Sequence, residues 1–272
     1  MIALSDEEKG IFGDIQKQIK FLINSENRLK ILECLFSSPQ TIRSIQSQTN
    51  LNLSSISVNI HDLEKNGFAT IKNDVITLTN NCKLLLIDIY NLNDSINVVD
   101  NNKDFLNTHK VKNHQFAGLS DLSQLKGCEL IESTTYDVFK TTRLIKELAL
   151  SSQSSRTIFP YMHPQLLEML DYWAENDVGV KLILDEKVSD LFREAIKEYG
   201  PLKANISVKT ISRKIEFLLA VTENYMFLGL CKENGKFDTN AVYFSDTPEA
   251  INWACDVFRE YEHMGKDYEV IK

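Results

Sequence analysis

"SSISVNIHDLEKNGF", residues 54–68, is the stretch on which the reading of the chain turns. Ile56, Ile60 and Leu63 stand at i, i+4 and i+7, the spacing of one buried helix side. Ser54, Ser55, Ser57, Val58 and His61 are left for the other side, and no acidic residue precedes Asp62. A solvated helix face normally carries charges. Small polar side chains around a valine suit a face that approaches another molecule closely. Gly67 ends the helix, and the chain beyond it is extended.

The flanking segments give this helix its context. Upstream, Ser5 and Glu8 form a capping-box pair, followed by a helical stripe of Phe12, Ile15, Ile19 and Leu22. Leu29, Leu32 and Phe36 mark a second helix that stops near "SSPQ". Thr41 is placed to cap a short helix holding Ile42 and Ile45, and "NLNL" makes the turn into residues 54–68. Downstream, "FATIKNDVITL" contains two β-prone runs around Asn73-Asp74, a hairpin signal. Helix, helix, turn, helix, hairpin is the winged helix-turn-helix order. In such a unit one side of the recognition helix is buried for rigidity and the other offers small or hydrogen-bonding groups to the major groove. Ser54, Ser55, Ser57, Val58 and His61 are therefore the expected groove residues, with Arg43 and Lys72 on phosphates. A helical module that joins proteins without touching DNA is the alternative.

Charge sets a limit on that reading. The 272 residues carry a formal charge of −8, which excludes a protein that coats nucleic acid by bulk electrostatics. Residues 1–80 hold eight Lys/Arg against nine Asp/Glu, so most of the excess lies further on. DNA binding here depends on where a few cations stand. The longest apolar runs, "LLLI" at 84–87 and "FLLAV" at 217–221, are far short of a membrane span. The first residues include Asp6, Glu7 and Glu8, unlike a signal peptide, and a cytoplasmic protein is expected. Five cysteines without a close pair exclude a disulfide framework and C-x-x-C metal chemistry.

Residues 81–110 are expected to link and dimerise. Leu85, Ile89, Leu92, Ile96 and Val99 are spaced four, three, four, three, a two-helix seam, and Leu106 falls one heptad further. From 111 to 272, strand-like and helix-like segments alternate. "CELIEST", "TIFPYM", "VGVKLIL" and "ISVKTI" read as strands, and 217–222 with 226–231 as a hairpin through Glu223-Asn224. Helical stripes begin near Val138, Pro164, Val188 and Pro248. The expected fold is two-domain, a winged helix (1–80) joined to an α/β domain with a mostly parallel sheet. Ligands of such sheets bind beyond the carboxyl ends of the strands, which selects Tyr136, Tyr161, His163, Asp185 and Arg213. Aromatic surface, an acid, a base and a titratable ring suit a small-molecule pocket, although His163 and Asp185 serve equally as helix caps.

The phrase "SSISVNIHDLEKNGF" with "VITLTNNCKLL" resembles the "S-x-x-x-x-L-x-x-L-E-x-x-G" and "L-T-x-x-G-x-x-L" phrases of prokaryotic winged-helix regulators. Ile60, Leu63, Glu64, Gly67, Leu78 and Thr79 stand at the matching places, with Ser55 and Ser57 close to the serine of that phrase. Cys82 replaces the usual glycine, and Val58 a basic or amide residue. "FLNTHKV", "RTIFPYMHPQLLEML", "FLLAVTENYMFLGLCKENGKFD" and "SDTPEAINWACDVFREY" look like a narrower group, the archaeal filamentation and methanogenesis regulators with a middle sensor domain. The resemblance implies a homodimeric transcriptional regulator that binds a double-stranded DNA operator and responds to a small effector, without cofactor or membrane.

The second half also resembles the phospholipase-D-like fold of some archaeal regulators. That chemistry needs a lysine two residues after its histidine, where Gln165 follows His163. A degenerate phosphodiesterase fused to a DNA-targeting module is the enzymatic alternative, but no G-x-S-x-G, Walker loop or H-E-x-x-H is present. His109 and His114 could be spaced for a metal, but without a cysteine or carboxylate partner, surface or interface positions are expected for both. No catalytic or metal residue is expected.

Overall fold

A computed structural model of the chain describes residues 17–111, 122–199 and 205–268. Ser5, Glu8, Phe12, Ile15 and His114 lie outside the described residues. The chain divides into two compact units, Met1–Asn91 and Leu92–Lys272.

In the first unit, helix α1 (17–23) precedes α2 (Glu26–Ser37), α3 (Ile42–Thr49) and α4 (Leu53–Lys65). Each of the last three begins at a side-chain cap: Ser25, Thr41 and Asn52 accept from the backbone N–H three residues on, satisfying donors the helix cannot. Gly67, at φ +75°, closes α4 as Phe68 N–H bonds back to the Leu63 carbonyl at 2.8 Å. Only glycine takes that left-handed position at no cost. Strands β2 (Ala69–Lys72) and β3 (Val75–Leu78) then pair through Asn73 and Asp74, both at positive φ, the twisted turn a two-residue hairpin favours. The two-residue β1 (Gln40–Thr41) pairs with β3, making a three-stranded sheet. Ile31, Leu32, Leu35, Ile45, Ile56, Ile60 and Leu63 fill the core, joined by Ile76 and Leu78 of the hairpin. This is the helix–helix–turn–helix–hairpin order expected from the sequence.

Helix α5 (Asn80–Asn101) runs through the Asn-rich stretch, and the boundary between the units falls inside it. It stops before α6 (Lys103–Thr108). That break takes Leu106 off the heptad expected for it, and Leu106 packs instead into the core of its own unit. Leu85 and Ile89 are half-buried against the first unit's core, whereas Leu92, Ile96 and Val99 are 54%, 50% and 41% exposed.

The second unit is built on one eight-stranded sheet in the order β11-β7-β6-β5-β8-β9-β10-β4. Its strands are β4 (Glu129–Glu132), β5 (Ser154–Phe159), β6 (Gly179–Asp185), β7 (Ile206–Ile211), β8 (Phe217–Val221), β9 (Met226–Leu230), β10 (Ala241–Ser245) and β11 (Lys266–Asp267). Only β5–β6 and β6–β7 pair in parallel; the other five pairings are antiparallel. The expectation of a mostly parallel sheet is therefore corrected to a mixed one. The β8–β9 hairpin and the strands outside the parallel core account for the difference, because a tight turn can only return a strand antiparallel.

Both faces of this sheet are buried. Phe217, Leu219 and Val221 of β8 join one core with α10 (Pro248–Met264), while Leu218 and Ala220 join the other. The second core also holds residues of α7 (Lys140–Leu150), α8 (Leu166–Glu175) and α9 (Glu186–Tyr199), with Trp173 at its centre. Gly229 in β9 has a packing role: a Cβ there meets the Phe237 ring at 2.6 Å. Gly229→Ala is expected to displace Phe237 and cost ~1–3 kcal/mol, as overpacked cores do. Urea unfolding should show a lowered midpoint at unchanged slope.

Candidate functional site

The exposed face of α4 is the first candidate. Burial of Ile56, Asn59, Ile60 and Leu63 turns Leu53, Ser54, Ser57, Val58 and His61 outward, and Val58 is 59% exposed. A valine so exposed on a rigid, capped helix is an unpaired apolar contact. Ser55 stands at the flank, half-buried, and its Oγ accepts from the Asn27 amide at 3.1 Å. It thus ties α4 to α2. Arg43 on α3 and Lys72 at the end of β2 are both exposed. Arg28 is inside the fold instead, its guanidinium 4.1 Å over the Phe21 ring and 3.5 Å from Asp62.

The second candidate is a cleft of about 1020 Å³ in the second unit. One wall is α7, which turns Thr142, Arg143, Lys146 and Glu147 toward it, with Val138 and Phe139 just ahead of the helix. Tyr161, Pro164 and Gln165, on the connection from β5 to α8, form the other wall. Thr239 and Asn240 lead into β10 at its end. Tyr161 is held flat by Phe237, ring centroids 4.7 Å apart, and burial pushes its phenol up to about 12. Arg143 is gripped by both carboxylate oxygens of Asp137, at 3.2 and 2.6 Å. Lys146 reaches Glu168 at 2.5 Å.

Of the five residues expected to form a ligand site, the structure sets Tyr161 beside His163, ring centroids 6.2 Å apart, and Asp185 and Arg213 at a separate recess. Tyr136 is 99% exposed, in a turn held by the Thr134 and Asp137 backbones. Asp185 ends β6 and is buried, its oxygens accepting from the N–H groups of Val188 at 2.9 Å and Ile215 at 3.2 Å. The Arg213 guanidinium lies 5.0 Å over the Tyr261 ring. Asp185 and Arg213 share only a separate 120 Å³ recess. The strand-end rule picked all five from an expected parallel sheet, and the sheet is parallel over three strands only. Phe139, Lys146 and Asn240 went unnoticed, since no sequence pattern joins residues so far apart.

His163 is closed to solvent. Its Nδ1 accepts from the Gln165 N–H at 3.2 Å, so the proton sits on Nε2, which is buried with no partner among the described residues. His109, expected at a surface or interface, is buried too. It stacks on Phe105 at 3.8 Å, and its nitrogens face the Phe105 carbonyl at 2.7 Å and Asp238 at 3.1 Å. Among the described residues, no three His, Cys, Asp or Glu gather as metal ligands, and no helix is long and apolar enough to cross a membrane.

A capped three-helix core with an exposed third helix and a β-hairpin defines the winged helix-turn-helix class. The chain belongs to the family of the archaeal methanogenesis regulatory protein FilR1: residues 16–99 match the model of that protein's N-terminal domain and residues 138–264 that of its middle domain. FilR1 of Methanothrix harundinacea (strain 6Ac) is 21% identical over 265 residues, an alignment covering 94% of this chain and 59% of that protein. The chain thus spans about three-fifths of that relative's length. TrmBL2, an archaeal chromatin protein with a novel mode of DNA binding, superposes with a TM-score of 0.41 at 11% identity, over 87% of this chain and 92% of its own. Nuc, a phospholipase D family member from Salmonella typhimurium, gives 0.39 at 17% identity, over 53% of this chain and 98% of its own. Both scores are too low to establish a shared fold.

Burial, with Lys146 nearby, lowers the His163 pKa from 6.5 to about 4. A base held neutral in the fold titrates more readily when unfolded. Stability contributed by neutral His163 is therefore complete above pH 6.5 and declines as pH falls toward 4. The loss is expected to reach about 3 kcal/mol. His163→Asn should flatten that part of the stability–pH curve, measured by urea unfolding between pH 4 and 7.

Proposed function

We propose that this protein is a sequence-specific DNA-binding transcriptional regulator whose second unit responds to a small molecule. The observation that carries the DNA half is the exposed face of α4. Ser54, Ser57, Val58 and His61 meet base edges in the major groove, the serines and histidine by hydrogen bonds and Val58 against a thymine methyl. Arg43 and Lys72 meet phosphates on either side, and Ser55 steadies the helix. Near-neutral charge over residues 1–80 means that few counterions are released, so contact rather than bulk attraction supplies the affinity. Family membership supports the same reading, and no catalytic role is assigned to any residue.

Two copies pair through the exposed apolar stripe Leu92, Ile96 and Val99 of α5, placing two winged helices on half-sites of one operator. The response to a ligand arises if one arrangement of that dimer binds the ligand better than another.

Two measurements test this. On duplexes selected from a random pool, Lys72→Ala and Arg43→Ala should each weaken binding on every sequence and flatten the salt slope by about one unit. Unchanged affinity and slope in both would remove the phosphate role. Leu92→Asp with Ile96→Asp should halve the sedimenting mass, and an unaltered mass would remove the seam.

A further inference from the structure

The cleft beside α7 holds an unmatched hydrogen-bond donor. The Tyr161 hydroxyl makes no hydrogen bond among the described residues, and burial keeps it protonated. Next to it, His163 carries its proton on a buried Nε2 that has no acceptor among the described residues. A buried donor left unpaired costs a kilocalorie or more, roughly 1–3 kcal/mol, and is worth an explanation in ligand terms. His163 stands between Tyr161 and the Pro164–Gln165 pair, all three of which line the cleft. Lys146 adds a positive charge on the same side, close enough to act on the His163 ring.

The other charges of the cleft are already matched. Arg143 is held by both oxygens of Asp137 and lies 3.9 Å from Glu147. Lys146 differs: its own side chain is 18% exposed, but its partner Glu168 is 63% exposed. A carboxylate so solvated gains little from its ion pair and is readily exchanged for another. The remaining surface is mainly apolar, supplied by Val138, Phe139, Pro164 and the Tyr161 ring. Phe139 is 69% exposed and Val138 54%, an apolar rim with no cover of its own. About 1020 Å³ is at the upper end of small-molecule sites, roughly 300–1000 Å³.

We propose that this cleft binds a small organic carboxylate with an apolar body. The carboxylate replaces Glu168 on Lys146 and accepts from the Tyr161 hydroxyl, while the body lies against Phe139, Val138 and Pro164. A neutral donor and an ammonium favour an anion over an amide of the same shape, because hydrogen bonds to an ionised acceptor are roughly twice as strong. The assignment rests on the reading that the second unit senses a small molecule.

The test uses the full chain and three probes: phenylacetate, hexanoate and the neutral phenylacetamide, at millimolar concentration and matched ionic strength. Thermal unfolding should rise by several degrees with the two carboxylates and hardly at all with the amide, since a ligand of the folded state alone stabilises it. Lys146→Met should weaken carboxylate binding by about tenfold, one lost charge-assisted bond. Glu168→Gln should strengthen it, since the competing carboxylate is gone. Where Lys146→Met fails to fold by circular dichroism, the Glu168→Gln arm decides alone. Equal stabilisation by acid and amide overturns the proposal, as does no response to either carboxylate in both the unaltered chain and Glu168→Gln. DNA affinity in the same samples is a separate readout. Its absence without ligand refutes the regulator reading and leaves the carboxylate site standing.

Discussion

Burial of the sheet on both faces is the constraint on which the second unit depends. A strand with solvent on one side alternates apolar and polar residues. Strands β8 and β9 are buried at every position, and their alternate side chains feed two different cores. Each face then needs its own helices, α10 on one side and α7 to α9 on the other. Polar groups at the centre have no water to turn to, so they concentrate at the strand ends, where Asp185 commits both oxygens to backbone N–H groups. Gly229 answers the same shortage of space. It lets the Phe237 ring lie on β9, and that ring in turn sets the plane of Tyr161 at the mouth of the cleft.

The winged helix works on a smaller scale. Its core is assembled from short helices, each of which needs its cap more than a long helix does, because propagation cannot offset a frayed end. Ser25, Thr41 and Asn52 supply those caps. Asn59, the one polar residue among the buried positions of α4, turns its amide to the Ser55 carbonyl at 2.9 Å. With its inner side fixed in this way, the helix can leave a valine in water on its outer side. The cost is small for a single side chain, and the result is a rigid contact surface.

Two buried histidines show how local surroundings divide similar groups. His109 stands between two acceptors and holds helix α6 to the chain near β9 and β10. His163 uses one nitrogen as an acceptor and keeps an unmatched donor on the other. The first is a structural fastening. The second keeps its donor sealed in the core.

The sequence by itself determined most of the longer elements of both units and the order of the first. Periodicity placed Ile56, Ile60 and Leu63 on one side of α4, and Thr41, Gly67 and Asn73-Asp74 announced a cap, a stop and a turn, because those features depend on neighbours within a few residues. Strands 217–222 and 226–231 and the helix at Pro248 were legible for the same reason. "AVYFS" at 241–245 was not recognised as a strand, and sheet order was beyond reach: whether β5 meets β6 or β8 depends on partners dozens of residues away. Only the tertiary structure decided that the sheet is mixed, that Leu106 leaves the heptad, and that Arg213 lies on Tyr261 rather than with Tyr161. It alone brought Phe139, Lys146, Tyr161 and Asn240 to one cleft, since a site drawn from three separated segments exists only once long-range packing has closed the loops between them.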